Sequence, residues 1–188
     1  MQEKDVNVLD DCLEEIKNSK LREWAEDWIN NKVPNYIFEV PASSTGKYHP
    51  KFSLGKGGLI RHTRAAFKIA LTLIDNGVWK FDESDRDKIL TAILLHDCLK
   101  HSKEKKKYSV AEHPSLMAEE IRKECAEGST RDDVAALIET HMGRWCEDYR
   151  SGEKVNPEPD NIRQFFVHLC DYLASRRFMD IDVSDMVV

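Results

Sequence analysis

The chain has 188 residues, of which 41% are hydrophobic and 33% charged, enough to enclose one sizeable core and ordinary for a globular domain. Its 28 Lys and Arg against 34 Asp and Glu leave a formal charge of -6, which excludes a general basic field for duplex nucleic acid but allows one positive pocket for a small anion. No apolar run approaches the roughly 20 residues that span a bilayer, and Met1 to Asp11 is acidic and polar rather than a signal sequence, so a single cytoplasmic domain with no membrane partner is the expectation.

In chain order, Val8 to Asn30 repeats apolar residues at Leu9, Leu13, Ile16, Leu21, Trp24, Ala25 and Trp28, the spacing of a helical lead-in packed on a larger bundle. Pro34 to Gly58 is loop by its Gly and Pro content. From Leu59 to Asp75 the stripe His62, Ala66, Ile69, Leu73 predicts a helix ended by Asn76-Gly77. Ser84, followed three residues later by Asp87, resembles a capping box opening a helix to about Cys98, with apolar coverage broad enough for the centre of the fold. Pro114 starts a short helix ending near Gly128, and Ser129 or Thr130 caps another that runs to His141. Gly143 to Pro159 is again loop, after which Asp160 can cap a last helix through Phe166 and Leu173. The fold class is therefore all-α. Residues 1–56 form lead-in plus loop, and residues 57–177 form the core. The five cysteines, Cys12, Cys98, Cys125, Cys146 and Cys170, contain no CxxC pair and read as reduced thiols, which leaves histidine and carboxylate as metal ligands.

Ionisable residues interrupt the apolar stripes. His96 lies in line with Ile89 and Ile93, Asp97 with Leu90 and Leu94, His141 with Leu137 and Ile138, and His62 heads its own stripe. Such groups cost several kcal/mol in a core unless they are hydrogen-bonded, neutralised or coordinated. A lone histidine on an apolar face is more often a satisfied core residue, and His49, His101 and His168 are first assigned that role. Asp171, taken alone, fits an ordinary buried carboxylate. An adjacent His-Asp pair, however, offers one nitrogen ligand and one carboxylate able to bridge two cations.

The order His62, His96-Asp97, His113, His141, Asp171, with its local wording "GGLIRHT", "LLHDCLK", "EHP", "IETHMGRW" and "HLCDYLASRR", resembles the dinuclear branches of the HD-domain superfamily from about Gly57 to Arg177. The resemblance implies a helical HD-domain bundle and a metal-dependent phosphohydrolase. His62, His96, Asp97 and Asp171 would hold one divalent ion, and Asp97 would bridge to a second on His113 and His141, the ions being Mn, Fe, Mg, Co or Ni. Lys100 corresponds to the lysine of the H-D-x-x-K variant and, like Asp97, is assigned to catalysis. It stands either beside a substrate phosphate or in solvent at a helix end. Arg144 and Arg176 follow two ligands and are the next candidates for phosphate contact, with surface ion pairing as their alternative. Lys47, His49 and Lys56 lie in "STGKYHPKFSLGKGG", a polar loop that can cover the mouth of the site or merely be solvated.

The implied substrate is a small phosphorylated compound such as a nucleotide, the cyclic dinucleotides included. Two other classes remain open at this level. Some HD-fold proteins bind two irons through the same ligand order and act as oxygenases, and a non-catalytic module could keep metals for stability.

Overall fold

The computed structural model describes residues 6–179. Among these residues the fold is helical, comprising α1 (Asp10–Glu14), α2 (Ser19–Asp27), α3 (Gly58–Asp75), α4 (Glu83–Leu95), α5 (His113–Arg122), α6 (Thr130–Glu139) and α7 (Ile162–Ala174), with short 3-10 and π turns between them. One isolated antiparallel bridge, Glu147 to Lys154, pinches the loop before α7. No helix among the described residues is long and apolar enough to cross a membrane.

The helical lead-in consists of α1 and α2. Asn18 adopts an extended backbone and accepts from Leu21 N at 3.1 Å, capping α2 and separating it from α1. The chain then continues through a π turn, Trp28–Lys32, and stops at Val33, whose extended conformation is the one a following proline favours. The start of α3 depends on two glycines. Gly57 has φ of +71°, and a Cβ on Gly58 would sit 2.2 Å from Ser53 O, so the loop can close over the helix start only with glycine there.

Several helix boundaries differ from those read in the sequence, α4 closing at Leu95 and α6 at Glu139 among them. The cap of α4 is Asp82, accepting from Asp85 N at 2.7 Å, and Ser84 lies inside the first turn. The cap of α7 is Asn161, which accepts from Arg163 N and Gln164 N, rather than Asp160. Helix α5 closes at Arg122 and leaves a turn before Gly128. Ser129 caps α6, accepting from Asp132 N at 3.3 Å.

Helix α4 and the turn after it are buried without interruption from Asp87 to Leu99, and α4 packs against α2, α3, α6 and α7. A helix buried on every face is the centre of its bundle. Asp87 is not half of a capping box. Its carboxylate accepts from Lys17 N at 3.1 Å and Asn18 N at 2.6 Å, while Arg86 donates to Glu15 O at 2.7 Å. The α1–α2 turn is thereby tied to the start of α4. Asp87→Ala leaves both amides without their acceptor and should lower stability by about 3 kcal/mol, seen as a fall in the urea midpoint. An unchanged midpoint would show that the lead-in is held by apolar packing alone.

Candidate metal centre

Helix ends deliver the ionisable residues to one place. His62 comes from the second turn of α3, His96 is the C-cap residue of α4, His113 opens α5, His141 follows the end of α6, and Asp171 lies near the end of α7. Helix α4 stops at Leu95, and Asp97 and Lys100 sit on the turn beyond it, joined by Lys100 N to Asp97 O at 3.0 Å.

Around Asp97, which is 2% exposed, five side-chain nitrogens gather. Oδ1 lies 3.0 Å from His113 Nε2 and 3.7 Å from His141 Nε2, and Oδ2 lies 2.5 Å from Lys100 Nζ, 3.4 Å from His96 Nε2 and 3.8 Å from His62 Nε2. Asp171 Oδ1 lies 2.8 Å from His62 Nε2 and 3.5 Å from His96 Nε2. The donor atoms of His62, His96 and Asp171 fall within 4.8 Å of one another, as do those of His96, Asp97 and His141. The cluster can therefore hold a divalent metal ion.

Three imidazoles show by their hydrogen bonds which nitrogen they offer. His96, His113 and His141 each direct Nδ1 at the carbonyl three residues earlier, Ile93 at 2.6 Å, Val110 at 2.7 Å and Ile138 at 2.7 Å. A carbonyl only accepts, so Nδ1 carries the proton and Nε2 presents a lone pair, the arrangement that orients a metal-binding histidine. In the neutral rings the Nε2 atoms of His113 and His141, 3.1 Å apart, are then two lone pairs facing each other. His113 Nε2 against Asp97 Oδ1 likewise sets acceptor against acceptor. His96 Nε2 and Asp97 Oδ1 are buried with no hydrogen-bond partner, as is His62 Nδ1. A cation among them resolves all of these contacts except the last, so the donor set fits a metal.

The electrostatics agree. Burial works to raise Asp97 and Asp171, yet Lys100 and His96 hold Asp97, and His62 and His96 hold Asp171, well below the usual carboxylate range. Burial also opposes a charge on His96, but Asp97 and Asp171 override it and push that imidazole up to about 10. His141, buried and repelled by His96 and His113, is driven down to about 3. Two carboxylates thus draw positive charge into the cluster.

The cluster opens into a cleft of about 1050 Å³, which His113 and Asp171 enter from the floor and Lys100, His49, Arg144 and Arg176 line. Burial, then the nearby charge of Lys100, lowers His49 to about 4, and its ring lies 5.7 Å from that of His62. Lys47 and Lys56 are exposed and outside the lining, with Lys47 Nζ over the ring of Tyr48. His101 is structural, its Nδ1 donating to Lys106 O at 3.0 Å and tying down the Lys-rich loop.

Sequence reasoning underrated His168. It lies one helical turn before Asp171, lines the cleft and donates Nδ1–H to His141 O at 2.8 Å, fixing the backbone beside that imidazole. Gly143 makes room for it. A Cβ there would lie 2.4 Å from His168 Cε1, and φ is +58°. The i, i+3 spacing of His168 and Asp171 was the available signal.

Comparison with known proteins decides the family. The HD domain family profile matches residues 59–176. The chain belongs to the HD domain family. A curated HD-type relative, dihydroneopterin 2',3'-cyclic phosphate phosphodiesterase of Methanocaldococcus jannaschii, is 26% identical over 182 residues, covering 87% of this chain and 66% of its own length. This HD chain thus spans a little under two thirds of that relative. No solved structure matches it.

Proposed function

We propose that this protein is a metal-dependent phosphohydrolase that cleaves a small phosphate ester with water as the attacking group. The observation that carries this reading is the convergence of His62, His96, Asp97, His113, His141 and Asp171 at the floor of a cleft lined by Lys100, Arg144 and Arg176. His62, His96, Asp97 and Asp171 would hold one divalent ion, and Asp97, His113 and His141 would hold a second, drawn from Mn, Fe, Mg, Co or Ni. When bound, such ions supply Lewis acidity at a phosphoryl oxygen and acidify nearby water.

The chain's own groups do the rest. Lys100 reaches the cleft from its 2.5 Å contact with Asp97 and shares its ammonium between that carboxylate and an arriving phosphate. Arg144 and Arg176 have no carboxylate partner among the described residues, so their charge is available to the phosphate oxygens. The Nδ1–H bonds of His96, His113 and His141 keep their rings oriented and remove any need for them to reorganise.

Lys100→Ala should leave metal content unchanged and lower kcat about 100-fold, because the ammonium acts on charge at the phosphate rather than as a ligand. Loss of metal together with turnover would reassign the lysine to holding Asp97 in place. The substrate is a nucleotide or a comparable ester, and the relative's name adds 2',3'-cyclic phosphates, that of dihydroneopterin included, to the classes to be tried first.

The test is a panel of nucleoside monophosphates, cyclic phosphates and cyclic dinucleotides offered to protein loaded with each of these metals. Release of phosphate or opening of a diester without oxygen consumption is the expected result. No hydrolysis with any metal, together with oxygen uptake by an iron-loaded sample, would overturn the reading in favour of an oxygenase.

A further inference from the structure

Beyond its cations the cleft has an aromatic wall that the proposed phosphate chemistry does not use. Trp145 and Tyr172 stack with centroids 5.3 Å apart and planes 11° from parallel. Tyr172 directly follows Asp171 on α7. His168 joins the wall to the cluster, its ring 5.8 Å from Trp145 and 6.1 Å from Tyr172 while its Nδ1 is bonded to His141 O. Exposed aromatic surface collects here. Trp145 at 40% exposure, Tyr108 at 51% and Tyr149 at 98% all line the cleft, where the core does not need them.

A phosphoryl group requires none of this surface, and it fills only a fraction of about 1050 Å³. The cation on Trp145 is held loosely, whereas Arg176 also donates from Nε and Nη2 to Ser175 Oγ at 3.0 and 2.9 Å. The guanidinium of Arg144, an exposed residue, rests 4.7 Å from the centroid of Trp145, and that of Arg176 rests 4.4 Å from Tyr172. Neither is paired with a carboxylate among the described residues. A cation kept in place by an exposed ring face exchanges readily for another partner of that face.

We propose that Trp145 and Tyr172 form a subsite for a planar nitrogen heterocycle carried by the phosphate ester, which takes the face of Trp145 and releases the Arg144 guanidinium to the phosphate. The inference rests on the phosphohydrolase reading for the phosphate end of the substrate and adds which residues hold the other end. A heterocycle fits better than an alkyl group for two reasons. Its ring stacks on the indole face of Trp145, and Glu147 in the same lining can accept from the amino N–H groups that such bases carry and a hydrocarbon lacks.

The experiment compares adenosine and cytidine monophosphates with ribose 5-phosphate, which has the same phosphate and no base, on the metal-loaded full chain. Trp145→Ala should raise KM for the nucleotides at least about 10-fold more than for ribose 5-phosphate, and Trp145→Phe should restore most of the difference. A larger effect for the adenine nucleotide would mark a preference for bicyclic rings. Adenosine, with no phosphate, should quench the fluorescence of Trp145, identified as the part of the signal absent from Trp145→Phe. Equal KM changes for esters with and without a base, or absence of that quenching while hydrolysis persists, would overturn the subsite and leave the phosphohydrolase reading standing. Quenching by adenosine in a protein that hydrolyses no ester would do the reverse.

Discussion

Asp97→Asn should reduce turnover at least about 1000-fold and strip the protein of most of its metal. One carboxylate here faces nitrogens from four helix ends and an ammonium, with Lys100 at 2.5 Å, His113 at 3.0 Å and His96 at 3.4 Å. The asparagine is nearly isosteric, so packing is retained while the chemistry changes in two ways. The negative charge that balances a cation is lost, and one oxygen becomes an NH₂ donor that no bound cation accepts. In either orientation the amide loses part of what Asp97 does. With nitrogen at the Oδ1 position, the contact that oxygen would make with an ion held by His113 and His141 is lost. With nitrogen at the Oδ2 position, a donor is set against the ammonium of Lys100. Metal content by elemental analysis, read beside kcat and the circular dichroism spectrum, checks the expectation. Full occupancy with near-normal turnover in a folded variant would remove Asp97 from the centre of the chemistry.

Much of this centre was legible because of where the apolar stripes are interrupted. His62, His96, Asp97 and His141 occupy positions that periodicity assigns to the core, and each is buried. The continuous burial of Asp87 to Leu99 likewise follows from the unbroken apolar coverage of α4. Caps were less legible, since Asp82 and Ser84 or Asp160 and Asn161 are similar polar residues one or two positions apart. Only the backbone decides between them, because the cap is the residue held extended with its oxygen over the amides two or three positions on. The role of Asp87 was misread for a related reason. Its spacing from Ser84 imitates a local pair, while its acceptors are spent on Lys17 N and Asn18 N, some 70 residues away in the chain. The aromatic wall was not legible at all, because Trp145 lies in a loop without period and meets Tyr172 only through the packing of that loop on α7.

Chelation should lower the melting temperature by about 10 °C as well as abolish activity. With the ion removed, Asp97 remains buried and Asp171 half-buried beside lone pairs, and the cluster recovers part of the missing charge by placing a proton on His96, whose imidazole those carboxylates push up to about 10. That substitution is incomplete, because one proton cannot serve the facing Nε2 atoms of His113 and His141 as well. An ion that binds the folded chain about 1000-fold below its working concentration adds about 4 kcal/mol, and for a chain of 188 residues each kcal/mol moves the midpoint by about 2–4 °C. The same linkage fixes the direction of the pH effect. Protons compete with the cation for each Nε2, so acid weakens binding, and release should be centred below the unperturbed histidine value of about 6.5 because the bound ion holds the rings neutral. Scanning calorimetry of the metal-loaded and chelated protein at neutral pH, with metal content followed as pH is lowered, measures both effects. Identical melting temperatures for the two forms would show that the buried cluster satisfies itself without a cation and would remove the physical basis for assigning metal to it.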